Sequence, residues 1–284
     1  MARVDVQIQP LIAAALSEDL GQAGDLTTDA LISAGQSGSA VVLAKSDGVF
    51  CGGNIFVQVC RAVDPTLVVQ PLLGDGDIFS AGQHVIELSG AVGGILKAER
   101  TALNFLGHLS GISSLTCQYV KRIKHTSAVI LDTRKTTPGL RSIEKYAVYC
   151  GGGQSHRRGL WDMILVKENH LAVWKHPLSQ LLTTIRAKHP QALIEVEVRS
   201  FDQLEQLLPE RPFRVLLDHF SLEDLSRAVV AAKTFGVPLE ASGNIRLETV
   251  AAVAEAGVDF ISVGALTHSA PASDFSLQVQ PVAG

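Results

Sequence analysis

The sequence predicts an α/β protein in which a small α+β domain is followed by a closed or partly open barrel of parallel strands. Three observations predict it. From about Val129 onward, short apolar runs recur as AVILDTRK, MILVK, LIEVEV, RVLLD, PLEAS and DFISVG, each of a length that suits a buried strand. Helical periodicity lies between several of them, at Leu178–Lys188, Asp202–Leu208, Leu222–Phe235 and Leu247–Ala256. Strands alternating with helices make βαβ units, and hence a parallel sheet. The runs also end on polar residues or glycine: Arg134 and Lys135, then Lys167, Glu197, Asp218, Ser242 and Gly264. Any single strand can end polar on reaching solvent. Six in succession is the pattern of an α/β barrel, whose working face is the C-terminal rim of its strands.

The elements follow in order. Gln7–Leu20 carries apolar residues at helical spacing and suits a short amphipathic helix. Strand-like pieces come next, SAVVLAKSDGVF, TLVVQPLL and QHVIELSG, divided by the turn signals GDGD and SAGQ. A long helical pattern runs from about Ile95 to Lys124, loosened by Gly107 and Gly111. Ser221, with Asp224 three residues on and an apolar-periodic run behind it, has the form of a capping box. The division expected is an N-terminal domain over 1–115, with the tail 270–284 packed back on it, and a barrel over 116–269.

Composition narrows the function. The chain has 284 residues, enough to bury a real core as one barrel-sized domain or two smaller ones. No apolar run is long enough to span a bilayer, and the start MARVDVQIQPLIAAALSEDL lacks the layout of a signal peptide. Cys51, Cys60, Cys117 and Cys150 show no CxxC pairing, so they read as reduced thiols of a cytoplasmic protein. A formal net charge of −4 argues against a general nucleic-acid surface. Local clustering is therefore the more informative signal. Between Arg134 and Lys167 stand seven Lys/Arg against two acids.

Three constellations carry chemistry. LEASGNI and GVDFISVGAL close the last two strands with Ser242, Gly243, Asn244 and Gly264, and His268 follows. This is either an ordinary tight turn or a phosphate site, in which glycine lets backbone N–H groups approach phosphate oxygens. Glu195 and Glu197 share one strand face, and Asp218 ends the next strand. Carboxylates so placed must be paired or bound to something. They contact Mg²⁺ and its phosphates, bond ribose hydroxyls, or pair with Lys135 and Lys167. Finally, Arg134, Lys135, His156, Arg157 and Lys167 would repel one another without a multiply charged anion between them. No aromatics interleave with them, as a strand-binding groove requires. Gly151–Gly153 then serve as bare backbone passing close to the ligand.

The stretch TRKTTPGLRSIEKYAVYCGGGQSHRRGLWDMILVKENH closely resembles the segment that marks the quinolinate phosphoribosyltransferase family. SEDLGQAGDLTT, AERTALNFLGHLSGI, IEVEV, LLDHF, LEASGNI and GVDFISVGALTHS extend the resemblance over nearly the whole chain. It implies an N-terminal α/β sandwich domain followed by an incomplete, open α/β barrel. The implied reaction converts quinolinate and phosphoribosyl pyrophosphate to nicotinate mononucleotide, pyrophosphate and CO₂ with Mg²⁺, a step of de novo NAD biosynthesis. It also implies a homo-oligomer, at least a dimer, with shared active sites. By motif, Arg134, His156 and Arg157 grip the quinolinate carboxylates, and Arg100 reaches the same site from the neighbouring subunit. Lys135 and Lys167 serve the pyrophosphate and the substrate end. Glu197 and Asp218 hold ribose hydroxyls and Mg²⁺, and Ser242, Gly243, Asn244, Gly264 and His268 bind the 5′-phosphate. Arg100 enters through the resemblance alone; pattern gives no reason to choose it from its helix.

Two other readings share this scaffold. A paralogous branch associated with molybdenum transport operons keeps much of the TRKT and HR pattern, but the intact VKENH and EVEV favour the quinolinate enzyme. A non-catalytic metabolite-binding protein would be expected to have lost Lys135, Glu197 or Asp218. All three are present. The chain departs from the family pattern at His219, where asparagine is expected after the acid, and at Trp161 and Met163.

Overall fold

The structure, a computed structural model, describes residues 8–280. In chain order it holds α1 (Gln9–Leu20), α2 (Leu26–Leu31), β1 (Ser37–Ala44), β2 (Gly48–Val49), α3 (Gly53–Val63), β3 (Val68–Pro71), β4 (Ile78–Phe79), β5 (His84–Ala91) and α4 (Val92–Ile123). Then come β6 (Val129–Leu131), α5 (Arg141–Cys150), β7 (Ile164–Val166), α6 (Glu168–Val173), α7 (Leu181–Lys188), β8 (Ile194–Val198) and α8 (Phe201–Leu207). The last elements are β9 (Arg214–Asp218), α9 (Leu222–Lys233), β10 (Leu239–Ser242), α10 (Val250–Glu255), β11 (Phe260–Ser262), α11 (Ala265–His268) and β12 (Phe275–Gln280). Every strand run expected from sequence in the second half contains a strand. The first helix starts at Gln9, with Pro10 in its opening turn, where a missing N–H costs nothing. Gln7, the expected start, lies outside the described residues, as do 281–284 of the tail.

The chain forms two compact units. The first takes the chain up to Cys117, Thr137–Gly152 and the chain from Ser269; the second takes Gln118–Thr136 and Gly153–His268. The segment Thr137–Gly152, placed with the barrel by sequence, thus belongs to the first unit. Packing explains why: Ser113 Oγ donates to the Ala147 carbonyl at 2.7 Å. A side chain at Gly151 would have its Cβ 2.4 Å from the Ser113 carbonyl. Gly151 therefore exists for contact with α4, and none of Gly151–Gly153 lines the cavity described below.

In the first unit, the four-stranded antiparallel sheet runs β12-β1-β5-β3. The C-terminal strand pairs with β1 from Ser39↔Gln280 to Ala44↔Phe275. To reach that register, the chain before β12 crosses α4 at close range. The Ser273 N–H donates to the Gly107 carbonyl at 2.9 Å, and a Cβ at Gly111 would lie 2.1 Å from the Pro271 carbonyl oxygen. Gly107 and Gly111 thus leave α4 unbroken and admit the crossing backbone. Gly111→Ala is expected to cost about 1–3 kcal/mol through overpacking, read as a lower midpoint in urea with an unchanged slope. An unshifted midpoint would show that the crossing segment yields freely.

The second unit is a six-stranded parallel sheet in the order β6-β11-β10-β9-β8-β7. No ladder joins the edge strands β6 and β7 among the described residues, so the α/β barrel is open. Its strands read as continuous apolar runs because both faces are covered; all five residues of β8 are buried. The Val196, Val198, Val215 and Leu217 side chains are fully enclosed, each contributing about 1.5–3 kcal/mol. At the head of α9, Ser221 Oγ accepts the Asp224 N–H at 3.1 Å and donates to the Asp224 carboxylate at 2.8 Å. This is the hydroxyl half of the expected capping box.

Candidate active site

Period two along the parallel strands decides which side chains enter the barrel. Register pairs Glu195 with Arg214 and Glu197 with Leu216 across β8 and β9. It pairs Glu240 with Leu216 and Ser242 with Asp218 across β9 and β10. Residues two apart share a face, so the deep level of the barrel holds Glu195, Arg214 and Glu240, while its rim holds Glu197, Asp218 and Ser242.

The deep level is a buried polar network in which both Glu240 carboxylate oxygens lack a hydrogen-bond partner. Arg214 grips Glu195 with both prongs, Nε to Oε1 at 2.8 Å and Nη2 to Oε2 at 3.1 Å. Its Nε lies 3.2 Å from Glu240 Oε2, and its guanidinium stacks 4.7 Å from the Phe260 ring centre. His156 Nε2 sits 3.0 Å from Glu195 Oε2, and His156 Nδ1 accepts the Arg157 N–H at 2.7 Å. Both ring nitrogens of His156 are therefore engaged within the protein, in the tautomer with its proton on Nε2. The ring and the buried Asp132, which accepts the His156 N–H at 2.9 Å, fix the backbone that carries Arg157.

Charge in this network is asymmetric. Burial and the adjacent Glu195 charge push the Glu240 carboxyl well above the usual carboxylate range. Contacts with His156 and Arg214 outweigh burial at Glu195 and hold it below that range. Glu240 thus keeps a proton that the unfolded chain releases above its ordinary value of 4.5. The native state binds more protons there, so this contribution to stability is lost as pH rises through that interval. Glu240→Gln removes the loss: its stability relative to wild type is expected to grow between about pH 5 and pH 8, followed by urea unfolding across pH. Parallel curves would show that Glu240 is already ionised in the fold.

Above the network opens a cavity of about 710 Å³, within the size range of small-molecule sites. Twelve of the thirteen residues that the sequence places at the site line it: Arg134, Lys135, His156, Arg157, Lys167, Glu197, Asp218, Ser242, Gly243, Asn244, Gly264 and His268. Arg100 is not among them; it is an exposed residue of α4 in the first unit. Sequence reasoning passed over Arg199, Glu168 and Arg246, which also line the cavity, and noted His219, another lining residue, only as a departure. Arg199 follows directly on a strand end, the same signal that found Glu197. The carboxylates are held by cations: Lys167 Nζ donates to Glu197 Oε2 at 2.8 Å, and Arg199 Nε to Asp218 Oδ2 at 3.2 Å. Arg199 also pairs with Glu168. Asp218 therefore pairs with Arg199 and not with Lys135.

At the opposite side of the rim, the backbone comes close. Gly243 takes φ +102° with the His219 ring pressed on it, so that a Cβ there would meet His219 Cγ at 2.7 Å. A Cβ at Gly264 would lie 3.1 Å from Lys135 Cδ and 3.2 Å from His268 Nε2. Thr267 Oγ1 donates to the Lys135 carbonyl at 2.8 Å and ties the two loops together. Arg157 is buried, and its Nη1 donates to the Met163 carbonyl at 3.1 Å. Burial first, and Arg134 second, lower its affinity for its own proton. Arg134 Nε is buried with no hydrogen-bond partner. An unmet donor and two crowded guanidiniums define a place for an anion.

Fold and cavity together define an α/β-barrel enzyme whose strand-end site is furnished for a polyanion. Residues 25–110 match the N-terminal domain, and residues 112–278 the C-terminal domain, of quinolinate phosphoribosyl transferase, and the chain belongs to that family. It is 40% identical over 275 residues to the nicotinate-nucleotide pyrophosphorylase [carboxylating] of Mycobacterium leprae, covering 94% of this chain and 95% of the relative. It is 37% identical over 276 residues to the probable nicotinate-nucleotide pyrophosphorylase [carboxylating] of Bacillus subtilis, covering 96% and 94%. The solved structure of the nicotinate-nucleotide pyrophosphorylase from Francisella tularensis superposes with a TM-score of 0.90 at 39% identity, covering 96% of each chain.

Proposed function

We infer that the protein transfers the phosphoribosyl group of phosphoribosyl pyrophosphate to the ring nitrogen of quinolinate, with loss of CO₂, giving nicotinate mononucleotide and pyrophosphate. Membership of the family and near full-length similarity to pyrophosphorylases support the reaction. The observation that carries the substrate assignment is the buried, unpartnered Arg134 Nε beside the buried Arg157. A planar fork suits a carboxylate, and two of them suit a pyridine with adjacent carboxylates.

The geometry supports the following roles. Arg134 and Arg157 hold the dicarboxylate, with His156 orienting Arg157. Gly243, Asn244 and Gly264 offer close backbone to the 5′-phosphate, with Ser242 and His268 beside them. Lys135 and Lys167 face the charge that builds on departing pyrophosphate. Glu197 and Asp218 hold the ribose hydroxyls as the anomeric carbon becomes oxocarbenium-like. The pyridine nitrogen forms the new C–N bond as the C–O bond to pyrophosphate breaks, so the ring becomes cationic. The C2–carboxylate bond then breaks, its electron pair remains on the ring carbon beside that cation, and a solvent proton replaces CO₂. Catalysis here is positioning and fixed electrostatics, with no covalent enzyme intermediate.

Mg²⁺ fits this rim. Glu197 and Asp218 are two hard carboxylates, each held by one cation, and Mg²⁺ commonly takes one or two carboxylates and draws its other ligands from phosphates and water. When bound, it supplies charge neutralisation for the pyrophosphate. The reading also carries a cytoplasmic homo-oligomer in which Arg100, exposed on α4, serves the site of a second subunit. No helix among the described residues is long and apolar enough to cross a membrane.

Mass-spectrometric detection of product from purified protein, phosphoribosyl pyrophosphate and Mg²⁺ tests the assignment, with quinolinate in one reaction and nicotinate in another. Nicotinate mononucleotide is expected from quinolinate alone. No product from either, in protein that still binds the phosphoribosyl donor, would overturn it.

A further inference from the structure

A second cluster of reactive groups lies entirely within the first unit, and the transfer chemistry makes no use of it. Cys51, in the turn before α3, and Cys150, the last residue of α5, stand with their sulfurs within 4.8 Å of each other and of an Asp75 carboxylate oxygen. Cys51 is fully enclosed, whereas Cys150 is only partly covered. Cys60 and Cys117 stand outside the cluster.

We propose that Cys51 and Cys150 are a peroxide-reactive thiol pair that closes to an intramolecular disulfide. The asymmetry of the pair assigns the roles. Cys150 is the less buried of the two; its proton affinity is lowered, first by Cys51 beside it, against the opposing effect of burial. Cys51 is shifted the other way, first by its hydrogen bond to Cys150 and then by burial. A partly covered cysteine beside a buried resolving thiol is the arrangement of a redox-reactive pair. Cys60, by contrast, is buried and pushed up to about 12 by desolvation, which leaves it inert.

The step balances with hydrogen peroxide as oxidant. The Cys150 thiolate attacks one peroxide oxygen, the O–O bond breaks, and hydroxide leaves and is protonated to water. Cys150 is now a sulfenic acid, oxidised by two electrons. The Cys51 sulfur attacks the Cys150 sulfur, the S–S bond forms as the S–O bond breaks, and the hydroxyl leaves as water with the Cys51 proton. Two thiols and one peroxide become one disulfide and two waters.

A metal is the competing occupant, and the hydrogen bonding disfavours it. Asp75 Oδ1 accepts the Gly52 N–H at 2.9 Å and the Gly53 N–H at 3.1 Å, while Oδ2 accepts the Tyr146 hydroxyl at 2.9 Å. That carboxylate is already committed to capping α3 and holding α5. Two sulfurs alone fall short of the four ligands of a structural zinc site.

The test treats the reduced full-length protein with a small excess of hydrogen peroxide, blocks remaining thiols by alkylation and maps peptides without reductant. The expected result is one crosslinked pair, Cys51 to Cys150, lighter by two hydrogens and reversed by dithiothreitol, with Cys60 alkylated only after unfolding. Cys51→Ser is expected to strand Cys150 as a sulfenic acid that dimedone traps. Free Cys51 and Cys150 after treatment, or a crosslink through Cys60 or Cys117 instead, would overturn the proposal. So would purified protein that carries stoichiometric zinc, released as these two thiols are modified.

Discussion

Arg134→Ala is expected to lower kcat/KM for quinolinate by between about 30-fold and a few thousand-fold, the kinetic counterpart of the roughly 2–5 kcal/mol that follows truncation of a buried, hydrogen-bonded charge pair. The reason lies in the unliganded geometry. Arg134 Nε is already enclosed and unpartnered, so its desolvation is complete before substrate arrives and the anion recovers the full interaction. Arg157 beside it gains as well, since its proton affinity is lowered by burial and by Arg134. Arg134→Lys keeps the charge but not the fork, and is expected to restore only part of the loss. The phosphoribosyl donor should be affected far less, because its proposed phosphate contacts are Gly243, Asn244 and Gly264. Equal losses toward both substrates, from steady-state kinetics with each varied in turn, would move Arg134 away from the dicarboxylate.

The second large effect is on stability. Arg214→Met is expected to cost about 3–5 kcal/mol, since it leaves Glu195 buried without its bidentate partner. In a unit of this size that is a fall in Tm of roughly 10 °C. The companion substitution Glu195→Leu is expected to recover part of it, because a buried ion pair replaced on both sides by apolar groups leaves neither charge of the pair uncompensated, and His156 Nε2 is the group that loses its partner. Activity is expected to remain low even as Tm recovers, since Glu195 also holds His156 Nε2 at 3.0 Å. Thermal unfolding of the two variants separates these outcomes. A second substitution that failed to raise Tm would show that Arg214 acts through packing against Phe260 and not through charge.

The six parallel strands were legible because burial on both faces leaves a continuous apolar run, and the rim residues because each run ends where its loop begins. What depends on register was not legible. Glu195 and Glu197 share a face, but only pairing with β9 puts Arg214 against the first, and only pairing with β7 brings Lys167, the residue after it, against the second. Nor was it legible that both nitrogens of His156 meet protein partners. The helix α3 carried no start signal of its own because its N-terminal N–H groups are capped from a distance, by Asp75. In α5, the buried Glu144 and Lys145 obscured the apolar stripe. The three glycines after Cys150 were read as ligand-facing, whereas Gly151 answers to α4. A sequence shows that bare backbone is needed, but not what approaches it. Arg100 remains the one site residue that rests on resemblance, and its place in catalysis belongs to the proposed oligomer.

The most direct test of phosphoribosyl transfer coupled to decarboxylation is the stoichiometry of a single reaction started with quinolinate labelled in its C2 carboxylate. Labelled CO₂, pyrophosphate and nicotinate mononucleotide are predicted in equal amounts throughout the time course. Pyrophosphate released without matching CO₂, or a nucleotide that retains the labelled carboxylate, would contradict the account.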